Sequence, residues 1–304
     1  MKFNILLATY NGEAYLEALL DSLLSQRCED FVVTVRDDGS SDRTCAILHR
    51  YAREDARIRV LPGKGRNLGY PDCFWYLLKK AEEADYYAFC DQDDIWKPDK
   101  LAAAMTCLDK RDTGKPMLYA HGYDICDRKL QRIGEGVIHG IDQLPTRQLI
   151  FYSPIPGFSM VINHAMREAV LMQKPWGKNI PHDLWMLWNA RFLGEFVYDE
   201  HSLAIYRRHE DTATPTGEGS KAMLKAWLFR ELLGDDYVKL CGMAAYFIHV
   251  NKGKLPEQDY REWKLLCFCP KSILGYWKRI FYPKRLRPGL LGETALRLLF
   301  LSGR

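Results

Sequence analysis

Short apolar runs alternate with segments whose apolar residues recur at helical spacing along the first hundred residues. The runs at residues 2–9, 31–36, 58–61 and 86–90 have the length and apolar character of buried strands. Between them, apolar residues recur every three or four positions, as on one face of a helix. The clearest repeat is that of Leu16, Leu19, Leu20 and Leu23. This alternation predicts an α/β fold whose mostly parallel, Rossmann-like sheet is flanked by helices.

The alternation of apolar runs and helical repeats becomes less regular after Pro98. It predicts further strands at residues 117–120, 160–163 and 203–207 and a helix at 181–192. Residues 212–220 are rich in Thr, Gly and Pro, which is typical of a loop or a domain edge. The pattern favours helices from residue 221 onward. We therefore predict a domain at residues 1–215 and a helical C-terminal region at 216–304.

Composition narrows the class of protein. The 304 residues are 47% hydrophobic, enough for a full core, and the net charge of +4 is too small to indicate a nucleic-acid partner. The nine cysteines include no CxxC pair, which predicts free thiols in a reducing cytoplasm. We find neither a signal peptide nor an apolar stretch of membrane-spanning length, so we expect a soluble or peripherally attached protein.

The most informative segment follows the strand predicted at 86–90. Asp91, Asp93 and Asp94 place three carboxylates within four residues, and like charges so close repel each other. A divalent cation explains the cluster, and hard oxygen ligands suit Mg²⁺ or Mn²⁺. A solvated loop or a helix N-cap is the structural alternative.

Acidic residues also follow an earlier strand. Asp37 and Asp38 end the run at 31–36, and Thr9 and Tyr10 end the first run. Ligands of parallel sheets bind at the carboxyl ends of the strands. These residues and the acidic cluster are therefore expected to meet in one crevice.

Three motifs carry a resemblance to a known family. They are Leu7-Ala8-Thr9-Tyr10-Asn11-Gly12, Asp37-Asp38-Gly39-Ser40-Ser41-Asp42 and Asp91-Gln92-Asp93-Asp94-Ile95-Trp96-Lys97-Pro98-Asp99-Lys100-Leu101. In this order and spacing they resemble the family 2 glycosyltransferases, over roughly residues 2–212. The resemblance implies the GT-A fold, here with a C-terminal helical extension. The segment Tyr206-Arg207-Arg208-His209 makes the chain most similar to the bacterial rhamnosyltransferase-like branch, which builds surface polysaccharides.

The resemblance also implies a reaction. A sugar would pass with inversion from a dTDP- or UDP-sugar to a hydroxyl of a saccharide or lipid-linked acceptor. Asp183 matches the position of the general base, although His182 precedes it where the family often has an acidic residue. Asp93 would bind the metal, and His209 would complete its shell. A helix start is the structural alternative for Asp183.

Contacts with the nucleotide sugar are implied in the same way. We assign them to Ala8, Tyr10, Asp37, Asp38, Asn67, Asp91, Gln92 and Arg207. Asp38 would accept a hydrogen bond from the imide N–H of the nucleobase, and Arg207 would clamp the diphosphate. A turn for Asp38 and a surface ion pair for Arg207 are the structural alternatives.

Three questions stay open at this level. The chain could be a nucleotidyltransferase, but the turn Thr9-Tyr10-Asn11-Gly12 lacks the basic residue of a phosphate-binding loop. It could instead bind a nucleotide sugar without catalysis, which would not require Asp183. The basic, aromatic tail at residues 271–304 fits a peripheral membrane contact at the inner face of the plasma membrane or an ordinary helical subdomain. The oligomeric state is not predicted.

Overall fold

The chain forms two compact units. The computed structural model describes residues 2–63, 66–111, 114–208, 234–268 and 273–301. One unit contains Met1–Asp142 and Pro154–His209, and the other contains Gln143–Ser153 and Glu210–Arg304. The predicted boundary at 215/216 lies outside the described residues. The grouping of Gln143–Ser153 with the C-terminal unit is a feature that the sequence did not indicate.

A single sheet forms the centre of the first unit. Its nine strands within the described residues are β1 (Phe3–Thr9), β2 (Phe31–Asp37), β3 (Ile58–Val60), β4 (Tyr86–Cys90), β5 (Ile95–Trp96), β6 (Met117–Cys126), β7 (Arg132–Gly136), β8 (Met160–Asn163) and β9 (Glu195–Arg207). They lie in the order β3-β2-β1-β4-β8-β6-β9-β5, and β7 pairs with β6. The predicted α/β fold with helices flanking a central sheet is confirmed.

The pairing differs between the two halves of the sheet. Strands β3, β2, β1 and β4 are parallel, as predicted. Beyond them the sheet is mixed, because β8 runs antiparallel to both of its neighbours, β4 and β6. Strands β6 and β9 are parallel to each other and longer than predicted. Polar residues such as His121 and Asp199 interrupt their apolar pattern, which hid their full length from the sequence analysis.

Helices cover the sheet. The first unit contains α1 (Leu16–Leu24), α2 (Thr44–Glu54), α3 (Asp72–Lys80), α4 (Lys100–Leu108), α6 (His164–Gln173) and α7 (His182–Leu193). The leucine repeat of α1 is buried in one cluster with alternate residues of β1 and β2, among them Phe3, Ile5 and Val33. Burial of this apolar face stabilises the helix against the sheet. The carboxyl ends of the strands are thereby held at fixed positions.

The second unit is helical, as predicted for the C-terminal region. Its helices are α5 (Thr146–Leu149), α8 (Asp236–Val250), α9 (Glu257–Cys267), α10 (Ile273–Ile280) and α11 (Leu290–Leu301). The rings of Phe151, Tyr237 and Phe300 pack together in its core. In the described part of the chain, no helix combines the length and apolarity needed to cross a bilayer. The eight described cysteines are free thiols.

Candidate active site at the strand ends

The ends of β1, β2 and β4 lie side by side. In the parallel register, Thr9 pairs with Asp37 and Leu7 pairs with Cys90. The residues that follow these strands therefore emerge at one edge of the sheet. This is the convergence that the sequence predicted for the three motifs.

Gln92 ties the exit of β1 to that of β4. Its Oε1 accepts a hydrogen bond from the Tyr10 backbone N–H at 2.7 Å, and its Nε2 donates to the Tyr10 carbonyl at 2.9 Å. A Cβ at Gly12 would lie 2.3 Å from Gln92 Oε1, so only glycine leaves room for this contact. The amide is thus engaged with backbone, while the Tyr10 ring is exposed. Ala8 is half-buried near the end of β1.

Asp37 closes the turn after β2. Its carboxylate accepts hydrogen bonds from the backbone N–H groups of Gly39 and Ser40 and from the Ser40 and Thr9 hydroxyls. Burial alone would raise the pKa of Asp37, but these hydrogen bonds outweigh it and lower the pKa. Asp37 is therefore a charged group that holds the loop in place.

Asp38 forms a buried ion pair. Arg36 Nη2 lies 3.0 Å from Asp38 Oδ1, and both side chains are almost fully buried. The backbone N–H of Leu68 donates to the same carboxylate at 2.9 Å, and that of Gly69 donates to Oδ2 at 2.7 Å. Asp38 thus fastens the loop at residues 66–69 to the end of β2. Asn67 is exposed on this loop.

This ion pair gives a stability prediction. Asp38→Asn keeps the volume but leaves the Arg36 guanidinium buried without its counter-charge. We expect a loss of about 3–5 kcal/mol in the free energy of unfolding, measured by urea denaturation. The matched control is Asp55→Asn. Like Asp38, Asp55 pairs with an arginine two residues away in the chain, Arg57, but this pair is partly exposed. That change should cost about 1 kcal/mol or less. Equal losses in the two variants would contradict the role given to Asp38.

Asp91, Asp93 and Asp183 lie in one electrostatic neighbourhood. Burial raises the pKa of Asp91 to about 7, the negative charges of Asp93 and Asp183 add to this effect, and Lys100 opposes it. Asp93 and Asp183 come from different elements, so the fold brings together two residues that the sequence singled out separately. The three carboxylates form an excess of negative charge at the edge of the sheet.

Asp94 and Lys100 lie beneath this cluster. Asp94 is buried, and neither of its carboxylate oxygens has a hydrogen-bond partner of normal geometry among the described residues. Burial and the charges of Asp91 and Asp93 raise its pKa. Lys100 Nζ donates to the Phe158 carbonyl at 2.6 Å, and burial lowers the pKa of Lys100 to about 7. One buried lysine does not balance the cluster.

The donor set fits a hard divalent cation. Carboxylate oxygens are preferred ligands of Mg²⁺ and Mn²⁺, and such ions need only one or two of them when substrate phosphates complete the shell. Asp91 and Asp93 can supply these ligands. In the described ranges, no three His, Cys, Asp or Glu side chains form a complete metal set. His209, the other predicted ligand, lies outside the described residues.

Asp183 occupies the first turn of α7. Its Oδ1 accepts hydrogen bonds from the Leu184 backbone N–H at 2.8 Å and from the Tyr70 hydroxyl at 3.3 Å. Burial raises the pKa of Asp183, and these two hydrogen bonds partly offset it. The carboxylate is thus a better proton acceptor than an exposed aspartate. Tyr70 was not among the predicted site residues, because nothing in its local sequence indicates a partner so far along the chain.

The His182 side chain packs among aromatic side chains in the core. Its ring centroid lies 4.3 Å from that of Phe74 and 4.5 Å from that of Phe89. Neither ring nitrogen has a hydrogen-bond partner among the described residues, and burial lowers the pKa of His182 to about 3. A Cβ at Gly157 would lie 2.3 Å from His182 Nε2. The neutral ring therefore positions the start of α7 by packing, where a charged acidic residue would not fit.

Arg207, the last residue of β9, binds the backbone of the segment that contains Asp91, Asp93 and Asp94. Its Nε donates to the Asp93 carbonyl at 3.1 Å, and its guanidinium lies 4.8 Å from the centroid of the Tyr15 ring. Arg207 is buried. It therefore fixes the backbone that carries Asp93 and adds a positive charge next to it.

Comparisons with known proteins bear on the family and the fold of this chain. Residues 4–152 match the family model described as Glycosyl transferase family 2. The dTDP-rhamnosyl transferase RfbG of Shigella flexneri is 28% identical over 231 residues, which make up 72% of this chain and 77% of RfbG. Several other curated relatives are matched over less than two thirds of their own length, as with 65% of an uncharacterized glycosyltransferase of Nostoc.

Solved structures share the fold. Residues 1–349 of TarS from Staphylococcus aureus match with a TM-score of 0.62 and 18% identity, over 100% of this chain and 81% of that one. The same part of TarS has also been solved with UDP-GlcNAc. The mannosyltransferase PcManGT from Pyrobaculum calidifontis, solved with GDP-Man and Mn²⁺, matches with a TM-score of 0.54 and 16% identity, over 100% of this chain and 76% of that one. At these identities the likeness establishes the GT-A fold alone.

Proposed function

Because this chain belongs to glycosyl transferase family 2 through residues 4–152, we propose that it is an inverting, metal-dependent glycosyltransferase. It moves a sugar from a dTDP- or UDP-sugar to a hydroxyl of a growing surface polysaccharide, at the cytoplasmic side of the membrane. The observation that carries the proposal is the placement of Asp91, Asp93 and Asp183 at one edge of the sheet, where the charges of Asp93 and Asp183 help to raise the pKa of Asp91. That arrangement puts a candidate metal site and a candidate base in one place.

The donor diphosphate is assigned to the segment after β4 that carries Asp91 and Asp93 and to Arg207 at the end of β9. Asp93 is the principal metal ligand, with Asp91 beside it, and the cation is Mg²⁺ or Mn²⁺. When bound, the cation neutralises the leaving diphosphate. Arg207, held against the Asp93 backbone, contributes positive charge on the same side.

The nucleoside is assigned to the ends of β1 and β2. Gln92 holds the backbone of Tyr10, whose exposed ring offers an apolar face to the base or ribose. Ala8 and the loop at residues 66–69, which includes Asn67, form the other walls of the proposed nucleoside pocket. Asp38 fixes this loop, and both of its carboxylate oxygens already accept hydrogen bonds from Arg36, Leu68 or Gly69, so the predicted hydrogen bond from the base would be an additional one. Asp37 maintains the turn below.

Asp183 is the proposed general base. It takes the proton of the acceptor hydroxyl as that oxygen attacks the anomeric carbon. The bond from the anomeric carbon to the diphosphate breaks in the same displacement, and the configuration inverts. Leu184 N–H and Tyr70 hold the carboxylate in place for this step.

The donor sugar is proposed to be L-rhamnose. The likeness to a dTDP-rhamnosyl transferase supports this choice. The acceptor is a saccharide, free or linked to a lipid. A screen of dTDP- and UDP-sugars with Mg²⁺ or Mn²⁺ tests the proposal, because ligands that bind the native state raise its melting temperature. Transfer from the best donor, with NMR showing the product in the anomeric configuration opposite to the donor, is the expected result. Hydrolysis without transfer, or retention of configuration, would contradict the proposal.

The pKa of Asp183 gives a prediction for the pH dependence. The base must be ionised, and its pKa is raised, so kcat/KM should fall as the pH falls through that raised pKa. Tyr70→Phe removes a hydrogen bond that lowers the pKa, so the acid limb of the profile should move to higher pH. Tyr51→Phe is the matched control, since the Tyr51 hydroxyl also bonds to an aspartate, Asp21, but on α1. An unmoved limb in Tyr70→Phe would show that Asp183 does not set it.

A further inference from the structure

Helices α10 and α11 of the C-terminal unit expose large apolar side chains. On α10 and directly after it these are Ile273, Leu274, Trp277 and Phe281, and on α11 they are Leu290, Leu291, Leu298 and Leu301. We call these eight residues the apolar surface. Ile273 is 80% exposed, and Phe281 and Leu290 are each 72% exposed. Large exposed apolar side chains that are clustered on one element mark interaction sites in soluble proteins.

The apolar surface is not the core side of these helices. The opposite side of α11 is buried through Ala295, Leu296, Leu299 and Phe300. On α10, the guanidinium of the buried Arg279 lies 4.2 Å from the centroid of the Phe300 ring. Each helix is therefore already packed on one side, and its exposed apolar residues do not serve the folding of this unit.

The two helices are held together as one element. The Tyr276 hydroxyl donates to the Leu301 carbonyl at 2.8 Å, and Arg297 Nη1 donates to the Ile280 carbonyl at 2.8 Å. The rings of Trp277 and Phe281 stack with their centroids 5.5 Å apart. The exposed apolar groups are thus fixed on a pre-formed element and need little further ordering to bind a partner.

The charge around the apolar surface identifies the partner. Residues 273–301 contain the cations Lys278, Arg279, Lys284, Arg285, Arg287 and Arg297 and a single acidic residue, Glu293. Glu293 is engaged by Arg297, whereas Lys278, Lys284 and Arg285 are exposed, and Lys284 Nζ also lies 4.0 Å from Glu262 Oε1 of α9. Aromatic and leucine side chains surrounded by lysine and arginine are typical of elements that lie in the interface of a bilayer. A protein partner would require no such excess of one charge.

We propose that α10 and α11 dock this chain on the surface of an anionic bilayer. The apolar surface enters the boundary between headgroups and acyl chains, and Lys278, Lys284 and Arg285 contact the anionic headgroups. This contact is peripheral, since it needs no spanning helix. It is independent of the proposed sugar transfer, because none of these residues belongs to the site at the strand ends.

Co-sedimentation of the full chain with vesicles tests the proposal. We expect binding to vesicles that contain phosphatidylglycerol and little binding to phosphatidylcholine alone, with the difference reduced at high salt. The variant Leu274→Gln/Trp277→Gln/Phe281→Gln should lower the partition coefficient by about tenfold or more. Lys278→Gln/Lys284→Gln should remove the preference for anionic vesicles.

A matched control distinguishes docking through the apolar surface from nonspecific binding of any exposed apolar residue to vesicles. Ile133→Gln/Met172→Gln changes two apolar residues of the first unit that are also well exposed, and it should bind vesicles like the unaltered chain. Unchanged melting temperatures would show that every variant folds. Failure of the unaltered chain to sediment with anionic vesicles would overturn the proposal, as would undiminished binding of the Leu274, Trp277 and Phe281 variant. A concentration-dependent dimer that the same variant abolishes, without vesicle binding, would assign the apolar surface to a second copy of the chain.

Discussion

Asp183→Asn is expected to lower the rate of sugar transfer by about 10²–10⁴-fold while the affinity for the nucleotide sugar stays nearly the same. The amide keeps the size of the carboxylate and can still accept the hydrogen bond from the Leu184 N–H. It cannot take a proton from the acceptor hydroxyl at neutral pH. The loss should therefore fall on kcat, with the dissociation constant of the donor measured separately by calorimetry.

Two comparisons show whether the effect of Asp183→Asn is specific to this position and whether it falls on catalysis or on donor binding. Glu54→Gln makes the same chemical change at the exposed end of α2 and should leave transfer unaltered. Transfer by Asp183→Asn at the rate of the unaltered enzyme would place the base elsewhere. A loss of donor affinity equal to the loss of rate would instead give Asp183 a binding role, as in a nucleotide-sugar-binding protein.

Asp93→Ala should remove the part of the donor affinity that depends on a divalent cation. In the unaltered chain, Mn²⁺ is expected to strengthen the binding of the nucleoside diphosphate by about tenfold or more, because a cation held by Asp93 would offset the negative charge of the phosphates. Calorimetry with Mn²⁺ and with EDTA measures this difference. In Asp93→Ala the two titrations should give nearly the same affinity.

A neighbouring aspartate supplies the comparison for Asp93. Asp99 lies a few residues further along the same segment and pairs with Arg27 at an exposed site. Asp99→Ala should retain the full effect of Mn²⁺. Equal effects of the metal in Asp93→Ala and in the unaltered chain would refute the assignment of Asp93 as a ligand.

The sequence predicted the parts of the fold that local pattern determines. The first four strands are continuous apolar runs, so their positions and the three polar motifs at their ends were predictable. Parallel pairing then places Asp37, Asp91 and Tyr10 at one edge without further information. The mixed pairing beyond β4 was not predictable, because β8 is a short strand whose partners are set by packing.

The contacts that shape the candidate site depend on tertiary structure. Tyr70 reaches Asp183, and Asp38 reaches the N–H groups of Leu68 and Gly69, across long separations in the chain. No local spacing indicates such contacts. The same holds for His182, whose fit against Phe74 and Phe89 is a matter of shape in the core. The sequence identified which residues carry the chemistry, and the structure shows what holds them.

The central claim is that the carboxylates at the strand ends bind a cation together with the donor diphosphate. Anomalous diffraction from crystals grown with Mn²⁺ and a nucleoside diphosphate tests it most directly. We predict a single manganese peak between the Asp93 carboxylate and the diphosphate, on the same side of the sheet as Asp183. A nucleotide bound without manganese at Asp93, or bound at another edge of the sheet, would contradict the claim.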